Sequence, residues 1–98
     1  MSAERAPVFV VTRLRVPAGD VPALTAAAEE LLTVLHGRPG FRDGELGRAA
    51  DDEGLFALAT RWDGVGAYRR ALSAAEVKIA GAPVWAHALD EPGVYLTD

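Results

Sequence analysis

The chain has 98 residues, half of them hydrophobic and 24% charged, and no cysteine. That length suits a single small domain over residues 1–98, and the missing thiols exclude disulfides, thiol nucleophiles and thiolate metal sites. A formal charge of −4, with arginines scattered from Arg5 to Arg70, offers nothing to a phosphate backbone, so no nucleic-acid partner is expected. The opening MSAERAPVF lacks a basic flank followed by a long apolar run, and no apolar stretch approaches the roughly 18 residues of a membrane helix. No membrane partner is expected, and the location is read as cytoplasmic.

Val8 to Val16 reads as a strand: Thr12, Leu14 and Val16 fall on one side, Arg13 and Arg15 on the other. Phe9 and Val11 make the second face apolar at its start. Pro17 to Gly19 break the strand, and Asp20 can cap a helix that has Pro22 in its first turn. Val21, Leu24, Ala28, Leu31 and Leu35 recur at helical spacing, with Leu32 widening the stripe. The helix should end near His36, with Gly37 as a left-handed cap and Pro39 preventing resumption.

Phe41 to Ala49 reads as a second strand, in which Gly44 and Gly47 suggest a bulge or a close backbone contact. The acidic turn Asp51 to Gly54 leads into Leu55 to Trp62, the clearest strand. There Phe56, Leu58, Thr60 and Trp62 share one face, and Leu55, Ala57, Ala59 and Arg61 the other. Asp63 can cap a short helix bearing Val65, Tyr68 and Leu72. Ser73 and Glu76 have capping-box spacing that restarts the helix at Ala74, and Val77 and Ile79 carry it to Gly81. Pro83 to Leu89 allows one or two helical turns against the core, and Val94 to Thr97 forms a last strand.

The order β-α-β-β-α-β is the ferredoxin-like α+β plan with an antiparallel sheet. One sheet face lies under the helices. The other would carry Phe9, Val11, Leu55, Ala57 and Ala59, too much apolar surface to leave in water. Pairing of two sheets face to face, as a homodimer, is the expected remedy.

Few residues are arranged for chemistry. His36 and His87 are the two histidines, without ligand spacing around either, and no metal is expected. Ser2 and Ser73 lack a nucleophile elbow. Gly64 and Gly66 have no third glycine, and Lys78 has no glycine-rich loop before it. Asp51, Asp52 and Glu53 form an ordinary solvated turn. What remains is aromatic: Trp62 at the end of its strand, Tyr68 on the next helix, and Trp85 approaching from the C-terminal segment. Such side chains combine apolar area with one polar handle each, which suits planar, partly oxygenated ligands. Trp62 serves equally as plain core, and Tyr68 can pack with its hydroxyl in water.

From Val8 to Leu96 the chain resembles the antibiotic biosynthesis monooxygenase family of the dimeric α/β-barrel superfamily. The resemblance rests on Val-Val-Thr-Arg-Leu in the first strand, the helix after Pro17, Pro39-Gly40-Phe41 before the second strand, and Arg61-Trp62-Asp63 before the second helix. It implies a homodimer with one cavity per subunit, between sheet and helices. It also implies oxidation of phenols to quinones by molecular oxygen, without metal or flavin. Trp62 matches the family's pocket tryptophan, and Thr12 stands where relatives often place an asparagine. Ala71 and Glu76 stand where haem-degrading relatives carry histidine, so haem is not expected.

The leading expectation is therefore a monooxygenase that needs no cofactor and acts on a planar aromatic phenol or quinol. Trp62 would stack on the substrate, Thr12 and Tyr68 would contact its oxygens, and His87, if turned inward, would accept a proton. The competing readings are a non-catalytic dimeric binding domain and an isomerase or decarboxylase on the same scaffold.

Overall fold

The computed structural model describes residues 6–97; Ser2 and Arg5 lie outside them. Four strands form one antiparallel sheet: β1 (Val8–Arg15), β2 (Phe41–Arg48), β3 (Leu55–Trp62) and β4 (Val94–Leu96), in the order β2-β3-β1-β4. Three helices lie along the chain between them: α1 (Val21–His36), α2 (Val65–Ser73) and α3 (Ala75–Trp85). This is the ferredoxin-like α+β plan. The sheet of the single chain is open rather than closed into a barrel. Among the described residues, no helix is long and apolar enough to cross a membrane.

The central pair is β1 with β3, in register from Val8 opposite Trp62 to Arg15 opposite Leu55. Strand alternation then fixes the layers. Val8, Val10, Leu14, Phe56, Leu58, Thr60 and Trp62 are buried on one face, under Leu24, Ala28, Leu31 and Leu35 of α1 and Ala67, Ala71, Val77 and Val84 of the later helices. The opposite face carries Phe9, Val11, Leu55, Ala57 and Ala59, all partly exposed in the single chain. Tyr95 stacks on Phe9 there at 5.2 Å, and the Arg61 guanidinium lies 5.7 Å from the Phe9 ring centre.

The structure corrects several local expectations. Gly37 is not left-handed (φ −85°); the left-handed residue is Gly40 (φ +83°). Arg38-Pro39-Gly40-Phe41 has the type II turn pattern, closed by the Phe41 N–H donating to the Arg38 carbonyl at 3.3 Å. A side chain at Gly40 would overlap that of Ala67, so two constraints fall on one residue. The irregularity in β2 lies between Phe41 and Asp43. Gly44 instead gives close approach: a Cβ there would stand 2.8 Å from Leu32 Cδ2 and 3.2 Å from the Ala59 carbonyl.

Neither Asp20 nor Asp63 caps a helix with its side chain; Gly64 is the N-cap of α2, and Asp63 pairs with Arg42 at 2.6 Å. Ser73 ends α2 rather than starting α3, and its hydroxyl donates back to the Arg69 carbonyl at 3.1 Å. Helix α3 runs through Gly81 and Pro83 to Trp85 because Val77, Gly81 and Val84 recur at helical spacing on its buried side, while Ile79 is exposed. Beyond it Ala86 and His87 make one further turn, the Ala86 N–H donating to the Ala82 carbonyl and the His87 N–H to the Val84 carbonyl, and the chain is then extended. The Arg15 N–H donates to the His87 carbonyl, and the Leu89 N–H to the Arg13 carbonyl, so the segment lines the β1 edge that β4 completes.

Candidate functional site

Aromatic side chains gather where β3 ends. Phe41, just past the turn at Gly40, meets the Trp62 ring edge-on at 5.1 Å, and Tyr68 on α2 meets it from the other side at 5.6 Å. His36 extends the row, 4.9 Å from Phe41, with Nδ1 at 2.8 Å from the Leu32 carbonyl oxygen. Trp62 is 1% exposed. Its Nε1–H donates to the Thr60 hydroxyl at 3.0 Å, which satisfies the indole's one donor without any ligand. The sequence placed Thr60 on this face, but nothing in the alternation alone marks its hydroxyl as the indole's acceptor.

Two adjoining spaces lie between sheet and helices. The inner chamber touches Leu58, Thr60 and Trp62 and measures about 20 Å³, roughly the room one water needs. The outer groove opens toward Ala88, Glu91, Gly93 and Val94 and measures about 420 Å³, within the size range of small-molecule sites. Val10, Thr12, Tyr68, Leu72 and Trp85 line both. A wider concavity of about 750 Å³ lies at the start of α2, between Arg42 and the Arg69–Arg70 pair, and none of the four predicted site residues lines it.

The sequence-predicted residues thus separate. Thr12 and Tyr68 line both spaces, and Trp62 lines the inner one. His87 is absent from the walls of both. Its backbone explains why: the residue sits in the turn after α3, its N–H bonded to the Val84 carbonyl and its carbonyl held by β1. Trp85 faces the space instead. Gly81, four residues earlier, makes this possible, since a Cβ there would overlap the Trp85 ring.

The electrostatics of the groove are simple. Tyr68 is more than half buried, and burial pushes its phenol above its ordinary value of 10.0, so it stays protonated at neutral pH. Glu91, at the rim, is held below its ordinary value by hydrogen bonds from Arg13 at 2.6 and 2.9 Å. The groove therefore presents a neutral hydrogen-bond donor and an ion-paired carboxylate. Among the described residues, no group of three His, Asp or Glu comes together to hold a metal ion.

A four-stranded antiparallel sheet with helices on one face and an aromatic-walled groove between them defines a ferredoxin-like α+β domain. The antibiotic biosynthesis monooxygenase family matches residues 7–82, and the chain belongs to that family. Its scaffold is thus of the monooxygenase type. No curated protein matches it.

Solved structures share the fold at low identity. A Bacteroides thetaiotaomicron protein of unknown function, described as a possible oxidoreductase, superposes with TM-score 0.84 at 12% identity, covering 95% of this chain and 99% of its own. A point mutant of SnoaB, a cofactor-independent oxygenase from Streptomyces nogalater, has TM-score 0.82 at 21% identity, with 94% and 93% covered. Rv0793 from Mycobacterium tuberculosis has TM-score 0.76 at 22% identity, with 95% and 94% covered.

Proposed function

We propose that the chain is a homodimeric, cytoplasmic monooxygenase that needs no cofactor and oxidises a planar aromatic phenol or quinol with molecular oxygen. The observation that carries this reading is the outer groove, about 420 Å³, with Tyr68, Trp85 and Thr12 on its walls. The family and the likeness to an oxygenase of this kind support it. The dimer rests on the apolar sheet face around Phe9, Val11 and Ala59.

The substrate would lie flat against Trp85 and Tyr68, with its oxygens toward the hydroxyls of Tyr68 and Thr12. Trp62 would support Tyr68 from behind rather than stack on the ring. A donated hydrogen bond from the neutral Tyr68 stabilises phenolate over phenol and so favours the electron-rich form that oxygen attacks. In the keto form of such a phenol, one ring carbon bears two hydrogens. Loss of one proton gives the phenolate, which passes an electron to oxygen; the two radicals join as a peroxide at that carbon. Protonation of the peroxide and loss of water leave a carbonyl, so one oxygen atom enters the product and the other leaves with both hydrogens. His87, outside the groove walls, takes no part; the first proton would leave to water at the open side.

Product formation from a panel of phenols and quinols, with and without oxygen, tests the reading. Oxygen-dependent quinone formation is expected, and equal product under anaerobic conditions rejects it. The lack of any near-neutral base on the groove walls favours one rival, a domain that binds the same ligands without turnover. Ligand retained unchanged under air would establish that rival. An isomerase or decarboxylase would need a proton shuttle that these walls do not offer.

A further inference from the structure

Trp85 lines both the inner chamber and the outer groove, and we propose that its indole divides them, sets the depth of the ligand pocket and so selects substrates by ring number. The inference rests on the groove being the aromatic site proposed above. Three observations carry it. Trp85 is the one aromatic residue on α3 and, with Tyr68, one of two aromatic side chains that line both spaces. Its position is built in, because the ring lies where a Cβ of Gly81 would be, so the helix surface is left bare for it. Finally, the space behind it is too small for a ring but is already walled by Leu31, Leu58, Thr60 and Trp62.

With Trp85 in place, a planar ligand stops at the outer groove. With the indole gone, the vacated volume joins chamber to groove, and a longer fused-ring ligand can reach the Trp62 edge. Pocket length discriminates between ligands that differ by whole rings, since each ring carries a large apolar area. Thr12 and Tyr68 line both spaces, so a polar anchor is kept in either case.

The test uses the intact protein and needs no turnover. In both Trp85→Phe and Trp85→Ala, Trp62 is the sole indole. Trp85→Phe keeps a flat ring in the partition, and Trp62 fluorescence should stay shielded from acrylamide. In Trp85→Ala the quenching constant should rise several-fold. Binding of a one-ring hydroquinone and a three-ring planar phenol, followed by calorimetry, should shift by about tenfold toward the three-ring ligand in Trp85→Ala relative to the wild type. Gly81→Ala, which displaces the indole without removing it, should shift the preference in the same direction. If Trp85→Ala does not fold, Trp85→Leu takes its place with the same readings.

Equal quenching in the ring-bearing and ringless variants overturns the proposal. So does a rise in quenching with no change of ligand preference, because the indole then shields without selecting. Failure of both probes to bind the wild-type protein counts against the function proposed above, and the quenching comparison then decides on the partition by itself.

Discussion

Thr60 shows how much one hydroxyl can matter in a small core. It is 5% exposed and accepts the only hydrogen bond of a fully buried indole. Thr60→Val preserves shape but strands the Trp62 N–H away from water, at a cost of about 1–3 kcal/mol. Urea unfolding should show that loss, and Thr60→Ser should recover most of it. Tyr68 gives a second prediction with a definite sign. Its phenol is raised by burial, so the folded chain keeps a proton that the unfolded chain releases as pH passes about 10. Its contribution to stability is complete below that pH and is lost as pH rises through the higher folded value. The free energy of unfolding should decline less steeply between about pH 9 and 11 in Tyr68→Phe than in the wild type.

At the scale of elements, the turn before β2 is the most constrained piece of backbone. Gly40 combines φ +83° with contact against Ala67, and the Asp63 N–H donates to its carbonyl at 2.8 Å, tying the ends of β2 and β3 together. Gly40→Ala should cost about 1–3 kcal/mol from backbone strain alone, read as a lower urea midpoint with an unchanged slope. The sequence marked a break through Pro39-Gly40 but gave the left-handed position to Gly37, because a glycine directly after the last apolar turn is the usual helix cap. The strand β3 was legible throughout, because Phe56, Leu58, Thr60 and Trp62 alternate without a break. Helix α3 was not. Gly81 and Pro83 both argue locally against a helix, and only burial of Val77 and Val84 and the seating of Trp85 over Gly81 outweigh them. With the helix unbroken to Trp85, the tryptophan reaches the groove from the C-terminal segment as its sequence position suggested, while His87 falls in the turn beyond and off the groove walls. Trp62 and Tyr68 were found because they flank a helix start, whereas the pairing of Trp62 with Thr60 needs coordinates.

On the scale of the whole molecule, the sheet has one covered face and one that carries Phe9, Val11, Leu55, Ala57 and Ala59. If two copies meet there, Ala59→Arg places a guanidinium in the middle of the contact, opposite Val11 on the neighbouring strand. Sedimentation velocity should then show a monomer where the wild type is a dimer, with far-UV circular dichroism unchanged. Strand β4 differs from the rest of the sheet. Its three residues are all exposed, it pairs with β1 alone, and its first residue Val94, with Gly93 just before it, forms part of the groove wall. The Arg13–Glu91 ion pair ties the segment just before it to β1. Fraying of this border would widen the mouth of the groove while the β1–β3 pair stays zipped. Its amides should exchange with deuterium sooner than those of β3, and a flat guest has a route in and out that leaves the core undisturbed.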